Sequence, residues 1–332
     1  MLALLKSIGS IVNENQGIVA IILFVVERRF TIISRLLKQW RGRKKSSITP
    51  DLALPPALDW VAKLNTVFKK EIELVLLKAE PKVRIDGVLA LTVEQAIRRA
   101  EIKDKLAIND GVVVLSKDPI LTDTPVILNA LTTDFAAVCT LDELGRRPVM
   151  ISANAVVVCP DTKQIVLHRR SKVVSRDYPG ALHTFGGAYM PQTARTNTED
   201  QLSLVHTAHR ELREESGFNF DLEIQPPLLL GRELRIGFLH VALLGVTISS
   251  KSLLLAKPNG EGEIVTIDWN ELQKLLLDDS WVPAGRAQVL AWLAIGAPHS
   301  AGRATFNGMN GQKLFDIVVE NLIRSKATTI RT

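Results

Sequence analysis

The spacing of apolar residues changes along the chain and divides it into regions. An apolar-leaning stretch, Met1–Val12, is followed by an unbroken apolar run, Ile18–Val26. In residues 27–45 apolar side chains recur at helical intervals between basic ones, at Phe30, Ile33, Leu37 and Trp40. This pattern predicts helical structure within residues 1–45, with an amphipathic second half.

Residues 46–56 carry three prolines among polar residues, which is typical of a linker. Residues 57–147 then show helical periodicity at Trp60–Ala79, a capping-box pattern at Thr92–Gln95 and a strand pattern at Val112–Leu115. No pattern in this region points to chemistry. We predict an accessory α/β region, either a domain of its own or an extension that covers the next sheet.

From residue 148 the pattern changes to β-branched strands separated by turns. Met150–Cys159 and Gln164–Arg169 flank Pro-Asp-Thr-Lys and predict a hairpin, and Leu182–Phe185 predicts a short strand. Trp269 and Trp281 are expected in the core. Later strands are predicted at Leu228–Leu230, Ile236–Ile248 and Ile264–Trp269, and later helices at Asn270–Leu277, Ala284–Ile295 and Gln312–Ile323.

A helix with clustered carboxylates is predicted between Thr198, which has Gln201 three residues later, and Gly217. At about 100° per residue its glutamates share one side, and an apolar stripe lies beside them. Repulsion among three like charges is relieved by a bound hard cation, so a divalent-metal site is predicted. His206 and His209 point away from this side. The carboxylates are Glu211, Glu214 and Glu215, and the apolar residues are Val205, Ala208 and Leu212.

Composition excludes several classes of protein. With 332 residues, 46% of them hydrophobic, the chain can build a large globular core. Its two cysteines, Cys139 and Cys159, form no CxxC pattern, which argues against a disulfide framework or a zinc site. The formal charge of +6 comes from residues 27–45, which hold eight Lys or Arg and one acid. The rest of the chain is nearly neutral, so no stable nucleic-acid complex is expected.

The basic amphipathic segment in residues 27–45 is typical of a helix that binds an anionic membrane surface. The nine residues of Ile18–Val26 fall short of the roughly 20 that a bilayer core requires. Residues 1–45 are therefore predicted to anchor the chain, either spanning the membrane with help from flanking residues or lying on it. The alternative is a helix docked on the body. The basic flank places the rest of the chain on the cytoplasmic side.

The run Arg210–Phe218, REUxEExGU with U apolar, resembles the second half of the Nudix hydrolase motif. The segment that precedes the box is also similar to that of the family. It contains a strand pair ending at Arg169-Arg170, then Tyr178-Pro179-Gly180, and then Gly186-Gly187. The resemblance covers residues 148–298 and leaves 299–332 as a C-terminal loop and helix. It implies an α/β fold of the Nudix type, an α/β/α sandwich with a mixed sheet, preceded here by the N-terminal segment and the accessory region.

The first half of the motif departs from the family. Nine extra residues separate Gly187 from Arg210, and we assign them to a loop over residues 188–197. The family's first glutamate falls at Leu202, and the nearest acids, Glu199 and Asp200, are the available substitutes. The insertion therefore affects the outermost contact of the box and leaves the three inner carboxylates intact.

The resemblance implies Mg²⁺- or Mn²⁺-dependent hydrolysis of a nucleoside diphosphate linked to another moiety. By analogy, the metal ligands are Glu211, Glu214, Glu215 and the carbonyl of Gly187. Arg210 is placed to pair with Glu214 at i, i+4. The general base is left open among Glu214, Glu215 and Glu263.

Substrate contacts are assigned less specifically. Arg169, Arg170 and Gly186 are expected near the phosphates, with an exposed strand end as the alternative for the two arginines. His183 either faces the substrate or is a buried core histidine. The insertion and the missing glutamate also motivate a second hypothesis, a Nudix-fold module that binds a nucleotide at a membrane without cleaving it.

Overall fold

The computed structural model describes residues 57–106, 109–120, 125–173, 177–190, 203–218 and 227–329. These residues belong to one compact unit, 55–332. The predicted N-terminal helix, the linker and residues 191–197 of the loop assigned to the box insertion lie outside the described residues, whereas Ala188 belongs to a strand. No helix within the described ranges is long and apolar enough to cross a membrane.

The described elements alternate between helices and strands. The helices are α1 (Ala57–Val67), α2 (Val93–Lys103), α3 (Phe135–Glu143), α4 (Leu204–Ser216), α5 (Ser250–Leu254), α6 (Leu272–Leu276), α7 (Pro283–Ala294) and α8 (Gly311–Thr329). The strands are β1 (Ile72–Leu77), β2 (Lys82–Val88), β3 (Gly111–Leu115), β4 (Ile127–Asp134), β5 (Met150–Cys159), β6 (Gln164–Arg170), β7 (Leu182–His183), β8 (Phe185–Ala188), β9 (Leu228–Glu233), β10 (Phe238–Thr247) and β11 (Gly262–Asp268), followed by the short strands β12 (Pro298–His299), β13 (Gly302–Arg303), β14 (Thr305–Phe306) and β15 (Met309–Asn310).

The first eleven strands form one mixed sheet with a main order of β1-β9-β10-β5-β3-β4-β2. β10 runs parallel to β5 and β2 runs parallel to β4, while the other pairs are antiparallel. The strands of the predicted accessory region therefore continue this sheet edge to edge, with β1 beside β9 and β3 beside β5.

Strand β5 is the centre of the sheet, and one of its edges serves three partners in turn. Met150 pairs with β3, residues 152–155 pair with β8, and residues 157–159 pair with β6. The other edge pairs with β10 along its length. Because β8 fits between β3 and β6, its two glycines lie in the middle of the sheet.

Helices cover both faces of the sheet. On one face α1, α6, α7 and α8 pack on Val156, Val158 and Leu244. On the other face α4 packs through Val205, Ala208 and Leu212 on the alternate residues of the same strands. This is the α/β/α arrangement predicted from the sequence. Burying this much apolar surface on two faces is the main stabilising contribution to the fold. Trp269 and Trp281 are both buried, as expected.

Candidate active site

Helix α4 carries the carboxylates, and it begins later than the sequence predicted. Its first residue is Leu204 and its N-cap is Ser203, whose hydroxyl accepts the His206 N–H at 3.3 Å. Glu80, between β1 and β2, accepts the Ser203 hydroxyl at 2.7 Å and the Val205 N–H at 3.1 Å. A carboxylate at this end also complements the helix dipole. The predicted start at Thr198 lies outside the described residues, and α4 itself begins behind the Ser203 cap, which Glu80 reinforces from far away in sequence.

The other end of α4 stops at Gly217, as predicted. Gly217 adopts φ 76° and its N–H donates to the Arg213 carbonyl at 2.8 Å. Glycine reaches this left-handed conformation without a steric cost. Both ends of the helix are thus fixed, which fixes the direction of the side chains on its buried face.

The strand β8 brings Gly186 and Gly187 against this face, extending the strand predicted to end at Phe185. Gly186 has φ 148°, and a Cβ there would lie 2.2 Å from the Ala153 carbonyl oxygen. A Cβ on Gly187 would lie 2.3 Å from Glu211 Oε2. The two glycines therefore allow the backbone of β8 to approach both β5 and the carboxylates of α4.

Glu215 is the most deeply buried carboxylate of the box, at 4% exposure. Its Oε2 accepts the Gly186 N–H at 3.0 Å, and its Oε1 lies 3.4 Å from Nδ1 of His168. Burial, followed by the negative charge of Glu211, raises the pKa of Glu215 well above its usual range. Its side chain therefore has a high affinity for positive charge in any form, proton or cation.

Arg210 contacts the other two carboxylates of the box. Its guanidinium donates to Glu214 Oε2 at 3.0 Å, to Glu211 Oε1 and to the Ala188 carbonyl at 3.4 Å. Glu211 is 9% exposed, whereas the Glu214 side chain is 51% exposed. The i, i+4 pair predicted between Arg210 and Glu214 is therefore present, and the carboxylates divide into a buried pair and one at the surface.

Burial is also the main cause of the shift at Glu211. Loss of solvent raises its pKa to about 7, Arg210 lowers it, and the charges of Glu214 and Glu261 raise it further. Two neighbouring buried carboxylates with raised pKa values are unusual in a structure selected for stability alone. Such sites are commonly functional.

The donor set fits a hard divalent cation. Within the described ranges no three His, Cys, Asp or Glu side chains form a ready metal-binding group. Arg210 forms ion pairs with Glu211 and Glu214. However, Glu211 and Glu215 offer buried carboxylate oxygens beside the Gly187 backbone, and oxygen is the ligand atom that Mg²⁺ and Mn²⁺ prefer. The carbonyl of Gly187 and the exposed Glu214 complete the predicted set.

The two arginines expected at the phosphates point to opposite faces of β6. Arg170 shares the α4 face with His168, whose pKa is lowered first by burial and then by the charge of Arg170. The same charge offsets only part of the rise that burial causes in the pKa of Glu215. Its Nε is buried without a hydrogen-bond partner. Arg169 lies on the other face, where it donates to the Gly180 carbonyl at 3.4 Å. Adjacent strand residues alternate between faces, so only Arg170 is placed at this site.

Glu261, an exposed acid in the turn two residues before the predicted Glu263, acts electrostatically on the box carboxylates. The charge of Glu261 raises the pKa of both Glu211 and Glu215. Glu263 is exposed on β11, opposite Arg169. The turn carries acids at both positions, so the sequence signal for Glu261 was present. The sequence does not show that this turn runs along the end of α4, where the Asn259 N–H donates to the Glu215 carbonyl.

Glu261 and Glu263 are expected to differ in how strongly their substitution affects activity. Glu261→Gln is expected to change the metal dependence of hydrolysis, because it removes a negative charge that acts on both buried carboxylates. Glu263→Gln is expected to have a much smaller effect. Steady-state rates measured against Mg²⁺ concentration for both variants check this. A larger effect of Glu263→Gln would contradict the placement.

Gly187→Ala is expected to displace the Glu211 carboxylate and to lower activity by about 10²-fold, because misplacing a site group by about 1 Å costs that much. The new methyl group would lie within 2.3 Å of Glu211 Oε2. Gly260→Ala is the matched control, since a Cβ there meets nothing within 4 Å. Comparable activity in the two alanine variants would refute the close approach of β8 and α4.

The sequence did not predict a second buried polar group on the opposite face of the sheet. His240 lies 2.6 Å from Ser152 Oγ, 3.0 Å from Asn154 Oδ1 and 3.1 Å from Glu233 Oε2. The sequence feature that could have indicated this group is the pair of polar residues, Ser152 and Asn154, at alternate positions of the otherwise apolar strand β5. His183 is buried nearby, which supports its interpretation as a core histidine.

Comparisons with known proteins place the chain near Nudix structures. No protein-family model matches the chain, and no curated protein matches it. Among solved structures it is similar to the MutT protein of Methanosarcina mazei Go1, with 20% identity over 42% of this chain and 90% of that one, at a TM-score of 0.31. It is similar to the Nudix domain of Shewanella oneidensis NrtR in complex with ADP ribose, with 14% identity over 43% and 85%, at a TM-score of 0.30.

A third similar structure is the bifunctional NMN adenylyltransferase/ADP ribose pyrophosphatase of Francisella tularensis with AMP and a Mn ion, at 12% identity and a TM-score of 0.35. The match covers 47% of this chain and 45% of that protein, less than half its length. At TM-scores of 0.30 to 0.35 and identities of 12% to 20%, these likenesses carry no argument of their own, and the interpretation of the site rests on the box residues and their geometry.

Proposed function

We propose that this chain hydrolyses the diphosphate linkage of a nucleoside diphosphate joined to another moiety, with Mg²⁺ or Mn²⁺ as its cofactor. One observation supports this most directly. Two box carboxylates, Glu211 and Glu215, are buried together against the Gly186-Gly187 backbone, with the guanidinium of Arg170 on the same face. Buried acids beside a cation and a close-packed backbone are suited to a densely charged phosphate substrate.

The chain's own residues have distinct roles in this reaction. Arg170 attracts the diphosphate, and its partnerless Nε is available as a donor to a phosphate oxygen. Arg210 holds Glu214 and Glu211 in place. Water attacks one phosphorus, the bridging P–O bond breaks, and a proton of the attacking water passes to a box carboxylate. The leaving phosphate carries away the electron pair of the broken bond.

Glu211, Glu214, Glu215 and the Gly187 carbonyl would hold the metal. When bound, a divalent cation supplies charge neutralisation on the phosphate oxygens and lowers the pKa of water. The raised pKa values of Glu211 and Glu215 give the carboxylates a reason to accept it, because the cation replaces the protons that burial otherwise favours.

The test is a substrate panel of nucleoside diphosphate sugars, ADP-ribose, dinucleoside polyphosphates and nucleoside triphosphates, incubated with the full chain and Mg²⁺ or Mn²⁺. We expect two phosphate-containing products from at least one class, with no turnover in EDTA. Product masses identify the bond that is broken. No turnover on the whole panel with either metal would contradict the proposal.

One observation favours a second function, nucleotide binding without cleavage. Arg210 already forms ion pairs with two of the box carboxylates, Glu211 and Glu214, which reduces the negative charge available to a metal. A binding module would show a thermal shift with a nucleotide that Glu215→Gln leaves unchanged, and no product. If the chain is an enzyme, the wild type forms product, and Glu215→Gln loses the metal-dependent binding of the nucleotide.

Residues 1–45 are proposed to attach the chain to the cytoplasmic face of an anionic membrane. In vesicle sedimentation of the full chain, replacing four basic residues by Gln is expected to weaken binding by about 1 kcal/mol per charge. The four are Arg41, Arg43, Lys44 and Lys45. The matched control replaces the exposed Lys69, Lys70, Lys78 and Lys82. Equal losses in both variants would mean that overall charge, not this segment, drives binding.

A further inference from the structure

His168 lies beside Glu215, yet the proposed reaction assigns it no role. It is on β6, is 6% exposed, and faces α4 together with Arg170. Its Nδ1 is 3.4 Å from Glu215 Oε1. The other oxygen of the same carboxylate accepts the Gly186 N–H at 3.0 Å. Glu215 is therefore flanked by protein groups on both sides, a backbone donor from β8 and an imidazole from β6.

The environment of the ring allows one assignment of its proton. As a metal ligand Glu215 would be ionised, and an ionised carboxylate oxygen only accepts hydrogen bonds, so the proton of the ring belongs on Nδ1, which faces Glu215. His168 Nε2 is buried and has no hydrogen-bond partner. With the proton on Nδ1, this nitrogen is an acceptor without a donor, which costs less than a buried donor without an acceptor.

Packing leaves the imidazole little freedom to move. The ring stacks on Phe185, with centroids 5.8 Å apart and planes at 17°. Behind it, a Cβ on Gly262 would lie 2.2 Å from His168 Nε2, so the backbone of β11 closes that side. An apolar side chain could fill this space without an unpartnered buried nitrogen and would be cheaper for folding. The histidine is therefore explained by its contact with Glu215.

We propose that His168 is a positioning residue for Glu215, holding the carboxylate through Oε1 so that it stays between the β6 imidazole and the Gly186 N–H. This rests on the proposed function, since Glu215 is a ligand there. Groups that orient a metal-binding carboxylate typically contribute 10- to 100-fold to metal affinity. The role concerns orientation, so it is measurable without turnover.

The test compares two substitutions with opposite expectations. The Asn side chain places its amide nitrogen near the position of Nδ1, whereas Leu fills the space and has no donor. Mn²⁺ binding to the full chain, followed by electron paramagnetic resonance without substrate, should weaken by about 10- to 100-fold in His168→Leu. His168→Asn should retain most of the affinity. In urea unfolding the order should reverse, because Leu packs better against Phe185 than Asn does.

A merely structural role would give a different result, with Mn²⁺ affinity following stability and Asn the worse of the two. That order, or wild-type affinity in both variants, would overturn the positioning role. His206→Leu, an exposed histidine on α4, is the control and should bind Mn²⁺ as the wild type does. Lack of Mn²⁺ binding by the wild type would overturn the proposed function together with this inference, whereas unchanged binding in His168→Leu would overturn this inference alone.

Discussion

Glu215→Gln is expected to abolish hydrolysis, lowering kcat by at least about 10³-fold, while the chain stays folded. The amide keeps an oxygen that can accept the Gly186 N–H, so the backbone contact survives. It removes the negative charge at the most buried position of the box. Burial raises the pKa of Glu215 well above its usual range, so replacing the carboxylate by a neutral amide removes a charge that is costly to bury.

The prediction requires that Glu215→Gln loses activity without losing stability. Purified Glu215→Gln should unfold in urea at the same concentration as the wild type or a higher one, in the absence of metal. Glu320→Gln, an exposed acid on α8, is the matched control and should keep full activity. A kcat equal to that of the wild type in Glu215→Gln would refute the catalytic assignment of this carboxylate. If the variant does not fold, the metal site is tested instead by the activity of Glu214→Gln and by Mn²⁺ titration of the wild type.

The metal-free protein is expected to lose stability as the pH rises from about 4.5 to about 7, through Glu211. Its pKa is raised from 4.5 to about 7 by burial, so over this range the folded state binds more protons than the unfolded state. Stability therefore falls with rising pH. The contribution is present in full below the unfolded pKa and is lost through the folded one. A shift of this size corresponds to as much as about 3 kcal/mol.

The measurement is urea unfolding in EDTA at pH 5 and pH 8, for the wild type and Glu211→Gln. His168 acts in the opposite direction, since burial lowers its pKa to about 4 and its contribution grows with rising pH. Both proteins contain His168, so its contribution cancels in the difference between their free energies of unfolding. Relative to the wild type, the Gln variant should be more stable at pH 8 than at pH 5. Parallel pH profiles would contradict the buried placement of Glu211.

Excess Mg²⁺ provides the complementary result. It should stabilise the wild type more at pH 8 than at pH 5, because the cation binds ionised carboxylates and competes with protons. The same addition should have a smaller effect on Glu211→Gln. Together the two titrations distinguish a buried metal site from a carboxylate that is simply destabilising.

Local features of this chain were predictable because their causes are local. Spacings of three and four residues put Glu211, Glu214 and Glu215 on one side of a helix, and Gly217 ends it. Runs of β-branched residues separated by a turn predicted the strands β5 and β6, and the buried tryptophans were expected in the core. The box motif then indicated the order of strands and helices in residues 148–298. None of these inferences needed a contact between distant segments.

Tertiary contacts decided which of these residues form the site. Glu80 holds the first turn of α4, Glu261 acts on the box carboxylates from outside the box, and the face of β6 that α4 covers selects Arg170 over Arg169. Sequence spacing fixes the relative directions of neighbouring side chains, but burial depends on what packs against them. The pKa values of Glu211 and Glu215 follow from that burial. The sequence by itself thus determined the chemistry available on α4, and only the folded sheet determined which charges are removed from water and brought together.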